Sequence, residues 1–180
     1  MSMSIQKSIL ISSSWNVFNI FAEDPLKIHY VKEIARKINL APTSVKLHCD
    51  KLEKENLIMK IKGERFVGFM ANRENEDFVF YKRIMNKITL KQSNLLTYLI
   101  KTLYPQTIIL YGSFMRGEDV KESDIDILII SKSSAPLNLD KFEKILNKKI
   151  DIKIIKNISD MHKNLQLEIN NGEVLYGYRQ

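Results

Sequence analysis

The sequence predicts an α+β chain in two parts, and three observations predict it. Up to about residue 56, apolar residues recur at helical spacing. From Leu57 to Phe69 the pattern becomes that of a β-hairpin. Beyond Pro105, three short isoleucine-rich runs begin at Ile108, Ile125 and Ile150, parted by polar or helical stretches. Runs of that kind fit a small mixed sheet flanked by helices.

The bulk properties fit this division. A chain of 180 residues with 44% hydrophobic residues can bury one or two small cores. A charged fraction of 27% argues against disorder. The single cysteine, Cys49, excludes an internal disulfide framework and a cysteine-based zinc site. No apolar run approaches the roughly 20 residues of a membrane span, and Met1–Ile11 is too mixed for a secretory signal. The expectation is a soluble, cytoplasmic protein. The net charge of +7 is unevenly spread: twelve basic against seven acidic residues up to Arg73, and sixteen against fourteen after it. A basic excess of that size fits nucleic acid or simple solubility.

Taken in order, Ser8 to Ala22 carries a stripe of Ile9, Trp15, Phe18 and Phe21, ended by Asp24-Pro25. A second helix is predicted from Lys27 to Leu40, with Val31, Ile34, Ala35 and Ile38 on one face. Pro42 suits the first position of a third helix, running to about Asn56. Val45, Cys49 and Leu52 face inward there, while Thr43, Ser44, Lys46, Leu47, His48 and Lys51 are candidates for the outer face. The hairpin follows, with Lys62-Gly63-Glu64 at its tip. The polar stretch Asn72–Asp77 marks a boundary, giving expected domains at 1–73 and 105–180 with a helical connector at 74–104. In that connector Phe78, Tyr81, Ile84/Met85 and Ile88 share a face, and Thr89–Gln92 is the expected interruption. A helix at Leu139–Lys148, another at Asp160–Asn171 and a short strand near Gly172–Gly177 complete the chain.

The chemistry concentrates in Thr107–Ser131. The run Ile108-Ile109-Leu110-Tyr111 reads as a buried strand that stops at Gly112-Ser113. Glycine there permits a tight exit and close approach of a ligand to the backbone. A polar connection with Arg116 and Gly117 leads to Ser123-Asp124-Ile125-Asp126-Ile127. On a strand, Asp124 and Asp126 share one face and the isoleucines the other. Two like charges on one face destabilise a strand. A divalent cation offsets them, and Mg²⁺ prefers carboxylate and phosphate oxygens. The bland alternative is an edge strand blunted by acid groups. The isoleucines that follow argue for burial instead.

These residues, read as GSxxRGxxxxxSDID, resemble the signature of the minimal nucleotidyltransferases of the DNA polymerase beta superfamily. The resemblance covers the C-terminal half. It implies a third carboxylate on a later strand, where Asp151 stands between Ile150 and Ile152. It further implies one or two Mg²⁺ ions held by Asp124, Asp126 and Asp151, phosphates held at Gly112 and Ser113, and Arg116 as phosphate clamp or as structural partner of the carboxylates. The activity implied is transfer of a nucleoside monophosphate, AMP from ATP, to a hydroxyl on a small molecule or a partner protein such as a cognate toxin.

The segment KEIARKINLAPTSVKLHCDKLEKENLI, followed by a basic hairpin, resembles the winged helix-turn-helix domains of prokaryotic regulators. In such domains the second helix of the pair enters the major groove and the wing touches the backbone. The resemblance implies double-stranded DNA as partner, with Thr43, Ser44, Lys46 and His48 approaching bases and Lys62 and Arg65 approaching phosphates. It also implies a homodimer on a palindromic site. The same fold serving only for protein contact is the competing expectation. Two function classes stay open: a Mg²⁺-dependent nucleotidyltransferase that binds DNA as an antitoxin-like autoregulator, and a transcriptional regulator whose nucleotidyltransferase-like domain only senses nucleotide.

Overall fold

The computed structural model describes residues 12–62, 66–157, 159 and 163–178, without the side chains of 163–165. Mixed helices and small sheets are arranged in two units, one up to Phe78 and one from Val79 onward.

The first unit opens with α1 (Ser13–Glu23), whose first turn is capped by the Ser12 hydroxyl accepting from the Trp15 N–H at 3.3 Å. The expected start at Ser8 lies outside the described residues. Helix α2 spans Val31–Ile38, shorter than the periodicity suggested. Its expected first turn is taken by an extended segment instead, because His29 exchanges two backbone hydrogen bonds of 2.8 Å with Phe69. Asn39, in the left-handed conformation, closes α2. Pro42 then starts α3 (Pro42–Lys54). Strands β1 (Ile58–Lys62) and β2 (Val67–Ala71) pair antiparallel. Val17, Phe18, Phe21, Ile34, Val45, Cys49 and Leu52 fill the core between the three helices. Burial pushes the Cys49 thiol up to about 12, so it is an apolar filler and no nucleophile.

The second unit holds a four-stranded sheet ordered β5 (Ile150–Ile155), β4 (Ile125–Ile130), β3 (Thr107–Tyr111), β6 (Glu173–Tyr176). Most of α4 (Glu76–Gln92) and all of α5 (Leu95–Leu103) precede it. The break between these helices falls at Ser93-Asn94, later than Thr89–Gln92. Asn94 adopts a left-handed conformation, and the Ser93 hydroxyl donates to Leu90 O at 2.7 Å while accepting from the Leu95 N–H at 3.2 Å. The inward face of α4 also differs from expectation. Phe78, Lys82 and Met85 are buried, whereas Tyr81 is exposed.

Strand β3 (Thr107–Tyr111) is buried along its whole length and pairs antiparallel with both β4 (Ile125–Ile130) and β6 (Glu173–Tyr176). A short helix, α6 (Gly112–Arg116), leaves β3 directly. Helix α7 (Asp140–Leu146) carries the chain across to β5 (Ile150–Ile155), parallel to β4, and α8 (Lys163–Asn170) precedes β6. Strand alternation divides the side chains between two faces. Ile108, Leu110, Ile125, Ile127, Ile129 and Ile150 pack with α5 and α7 residues into the main core. The opposite face carries Ile109, Tyr111, Leu128 and Ile169. No described helix is long and apolar enough to cross a membrane.

Candidate active site

The second sheet face ends in a rung of three residues in register. Tyr111 on β3 faces Asp126 on β4, and Asp126 faces Asp151 on β5. Strands pair at about 4.8 Å, so the two carboxylates stand side by side. Asp126 is half-buried and Asp151 is exposed. The Asp126 carboxyl is held above the ordinary range, first by burial and then by the charges of Asp151, Asp124 and Glu168, with Lys153 acting in the opposite sense.

Gly112 is shaped to this carboxylate. Its φ is +73°, where a side chain is strained. An added Cβ would also lie 2.0 Å from Asp126 Oδ2. The turn from β3 into α6 therefore brings bare backbone against the Asp126 carboxylate. Ser113, half-exposed, occupies the next position. Its carbonyl accepts the Glu118 N–H at 3.0 Å, which folds the following loop back on α6.

Asp124 departs from expectation. It stands just before the strand, because β4 begins only at Ile125. A turn across Val120–Ser123 delays the strand: the Val120 N–H donates to Ser123 Oγ at 3.0 Å and the Ser123 N–H to Val120 O at 3.1 Å. Asp124 is exposed and acts on Asp126 through its charge. Among the described residues, no three His, Cys, Asp or Glu side chains converge closely enough to close a metal site by themselves. The pair Asp126/Asp151 is an open set of hard oxygen donors. That set suits Mg²⁺, which commonly takes one or two protein carboxylates and completes its shell with water and phosphate oxygens. Arg116 is exposed and pairs with Glu118 at 2.7 Å. Its nearest partner is thus its own loop.

One group of residues escaped the sequence reading. Asp119, 2% exposed, lies between the ammonium groups of Lys82, 1% exposed, at 3.3 Å and Lys148 at 3.1 Å. Asn86 Nδ2 donates to its Oδ1 at 2.8 Å and to Phe114 O at 2.9 Å. Lys82 donates to the Asp119 carbonyl and Lys148 to the Val120 carbonyl. Gly117, with φ +75°, lies against the α4 backbone, where a Cβ would meet Val79 O at 2.6 Å. This knot ties the loop that delivers Asp124 and Asp126 to α4 and to the start of β5. A lysine on the buried stripe of α4 was the available signal.

In the first unit, Thr43 and Lys46 are exposed on α3, Ser44 is half-exposed, and Leu47 is 57% exposed. Lys46 pairs with Asp50 at 2.6 Å. His48 is half-buried, with Nδ1 2.8 Å from the Ser14 hydroxyl of α1. Its ring joins α3 to α1. Lys62 is exposed at the end of β1. Arg65 and the expected hairpin tip at Gly63-Glu64 lie outside the described residues.

Three comparisons bear on these units. Among the solved structures, a mutant of ZitR from Lactococcus lactis is similar at 19% identity and a TM-score of 0.39, over 53% of this chain and 64% of that one. The chain thus spans less than two thirds of ZitR. No curated protein matches. Residues 93–171, which contain the Tyr111–Asp126–Asp151 rung, match the family model described as nucleotidyltransferase domain. The match falls within the second unit and supports a nucleotidyltransferase-type domain there.

Proposed function

We propose that this chain is a Mg²⁺-dependent nucleotidyltransferase that moves a nucleoside monophosphate, AMP from ATP, to a hydroxyl on a protein or small molecule. The observation that carries the reading is the pairing of Asp126 with Asp151 on adjacent strands, beside a glycine whose missing Cβ leaves room for the Asp126 carboxylate. When bound, Mg²⁺ supplies charge neutralisation of the phosphates and a lowered pKa for the acceptor hydroxyl. Asp126 and Asp151 are the residues to hold it, with Asp124 alongside. The Gly112–Ser113 turn offers backbone N–H groups to the nucleotide phosphates. The acceptor oxygen bonds to the α-phosphorus, the α–β bridging P–O bond breaks, and pyrophosphate leaves. The acceptor proton passes to the Asp151 carboxylate.

For the first unit we propose a winged helix-turn-helix that binds double-stranded DNA. Support comes from the sequence α2–turn–α3 and the β1–β2 hairpin. Thr43, Ser44 and Lys46 are our candidates to approach bases, and Lys62 to approach phosphate. Together the units combine transfer with operator binding, as an autoregulated antitoxin needs.

The test incubates purified protein with Mg²⁺, each α-labelled NTP in turn, and lysate of the source cells. Label on a protein or small molecule, lost in Asp126→Asn, supports transfer and identifies the acceptor class. No transfer, with saturable NTP binding that alters affinity for DNA upstream of its own gene, moves the reading to a nucleotide-sensing regulator.

A further inference from the structure

The carboxylate rung concentrates negative charge. Asp151, Asp124 and Glu168 all act on the Asp126 carboxyl in one sense. Among the described residues, Lys153 is the cation that acts on Asp126 against them. Lys153 belongs to the next rung of the same face, two residues along β5 from Asp151. Its Nζ lies 3.9 Å from Asp151 Oδ2.

Tyr111 holds the ammonium in place. The Lys153 Nζ lies 5.8 Å from the Tyr111 ring centroid, within reach of a cation–π contact. The ring is rigid, because Tyr111 is 1% exposed and packs with Ile109, Leu128 and Ile169. The Tyr111 hydroxyl has no hydrogen-bond partner of ideal geometry, and the Lys153 ammonium is the polar group that interacts with it. A buried hydroxyl left unsatisfied is costly. Here it points into a region where the nearby charges are Lys153, Asp126 and Asp151.

We propose that Lys153 is a built-in counter-cation of the carboxylate site, compensating Asp126 and Asp151 when no divalent ion is bound and competing with that ion for them. The inference rests on the reading of Asp126 and Asp151 as metal-holding residues. Lys153 is a positioning residue in this scheme: it sets the charge and orientation of the carboxylates and does not touch the reacting atoms. Its presence means that the site asks less of an exchangeable metal than a bare carboxylate pair would.

Two measurements on the full chain test it. The first is Mn²⁺ binding followed by electron paramagnetic resonance, for wild type, Lys153→Gln and Lys153→Arg. Removing the ammonium raises Mn²⁺ affinity by roughly threefold to tenfold, since a full charge near 4 Å is strongly screened at a half-exposed site. Lys153→Arg keeps the wild-type affinity. A lysine that served only as packing would leave Mn²⁺ affinity where it was, and that result, or weaker binding in Lys153→Gln, overturns the proposal. The second is a double-mutant cycle of melting temperature in EDTA. Lys153→Gln lowers Tm in the wild-type background and leaves it unchanged when Asp126 and Asp151 are both Asn. Equal effects in both backgrounds overturn the proposal. If no Mn²⁺ binds to any variant, the metal-holding reading fails, and the melting cycle still decides whether Lys153 compensates the carboxylates.

Discussion

Two carboxylate sites in the same unit are built in opposite ways. Asp119 is sealed from water and met by two ammonium groups and an amide, with Lys82 and Lys148 also donating to backbone carbonyls. Asp126 is half-buried and set beside Asp151, with Asp124 and Glu168 adding to its field and Lys153 as counterweight. The first site is compensated internally. The second stays short of positive charge and open to ligand. Removing a partner from a sealed ion pair strands the rest, whereas removing a charge from a repulsive pair relieves it. A carboxylate that only holds a loop and one that is available for chemistry can therefore be told apart by the sign of their effect on stability.

The largest expected effect comes from the sealed site. Asp119→Ala leaves two buried ammonium groups unmatched and costs about 3–5 kcal/mol of stability, read as a fall in urea midpoint or Tm. A loss below about 1 kcal/mol would show that water enters the knot. Next, Asp126→Asn and Asp151→Asn each reduce transfer at least about a hundredfold, or nearly 3 kcal/mol of barrier, with an unchanged circular dichroism spectrum. Gly112→Ala comes third. It forces a strained φ and drives a methyl into Asp126 Oδ2, costing about 1–3 kcal/mol of stability together with most of the activity.

The smallest effect has the opposite sign. In EDTA at neutral pH, Asp126→Asn raises Tm by about 2–4 °C, corresponding to about 1 kcal/mol. Its pH dependence follows from the raised Asp126 carboxyl, shifted first by burial and then by Asp151. A folded-state pKa above the unfolded value means that the folded chain binds the proton more readily. Wild-type stability from this group is then full at acid pH and is lost as pH rises through the folded pKa. The Tm gain of Asp126→Asn should accordingly vanish below about pH 4, near the ordinary aspartate value, and grow toward neutrality. A gain independent of pH would mean that packing, not charge, separates the variants.

Residues whose geometry depends on local periodicity were readable in the sequence. The period of two placed Asp126 and Asp151 opposite their isoleucine neighbours, and the structure sets them in one register. The stop at Gly112 was readable from its neighbours, although the need for space at Asp126 Oδ2 was not. Asp124 was drawn into the strand because nothing in Ser123-Asp124 announces that the Val120–Ser123 turn holds the chain out of the sheet until Ile125. The start of α2 was set too early for a similar reason, since the pairing of His29 with Phe69 joins positions forty residues apart. The knot of Lys82, Asp119 and Lys148 draws its partners from three separate stretches, and only the fold brings them together. His48 has the outward spacing of a base-reading residue, but Ser14 of α1 takes its ring.

If the Asp126/Asp151 pair holds nucleotide through Mg²⁺, equilibrium dialysis of labelled ATP against the full chain will show it. Mg²⁺ then raises ATP retention in wild type and has no effect in the Asp126→Asn/Asp151→Asn variant, which lacks the metal-holding pair. Equal Mg²⁺-dependent retention by both proteins would contradict this account.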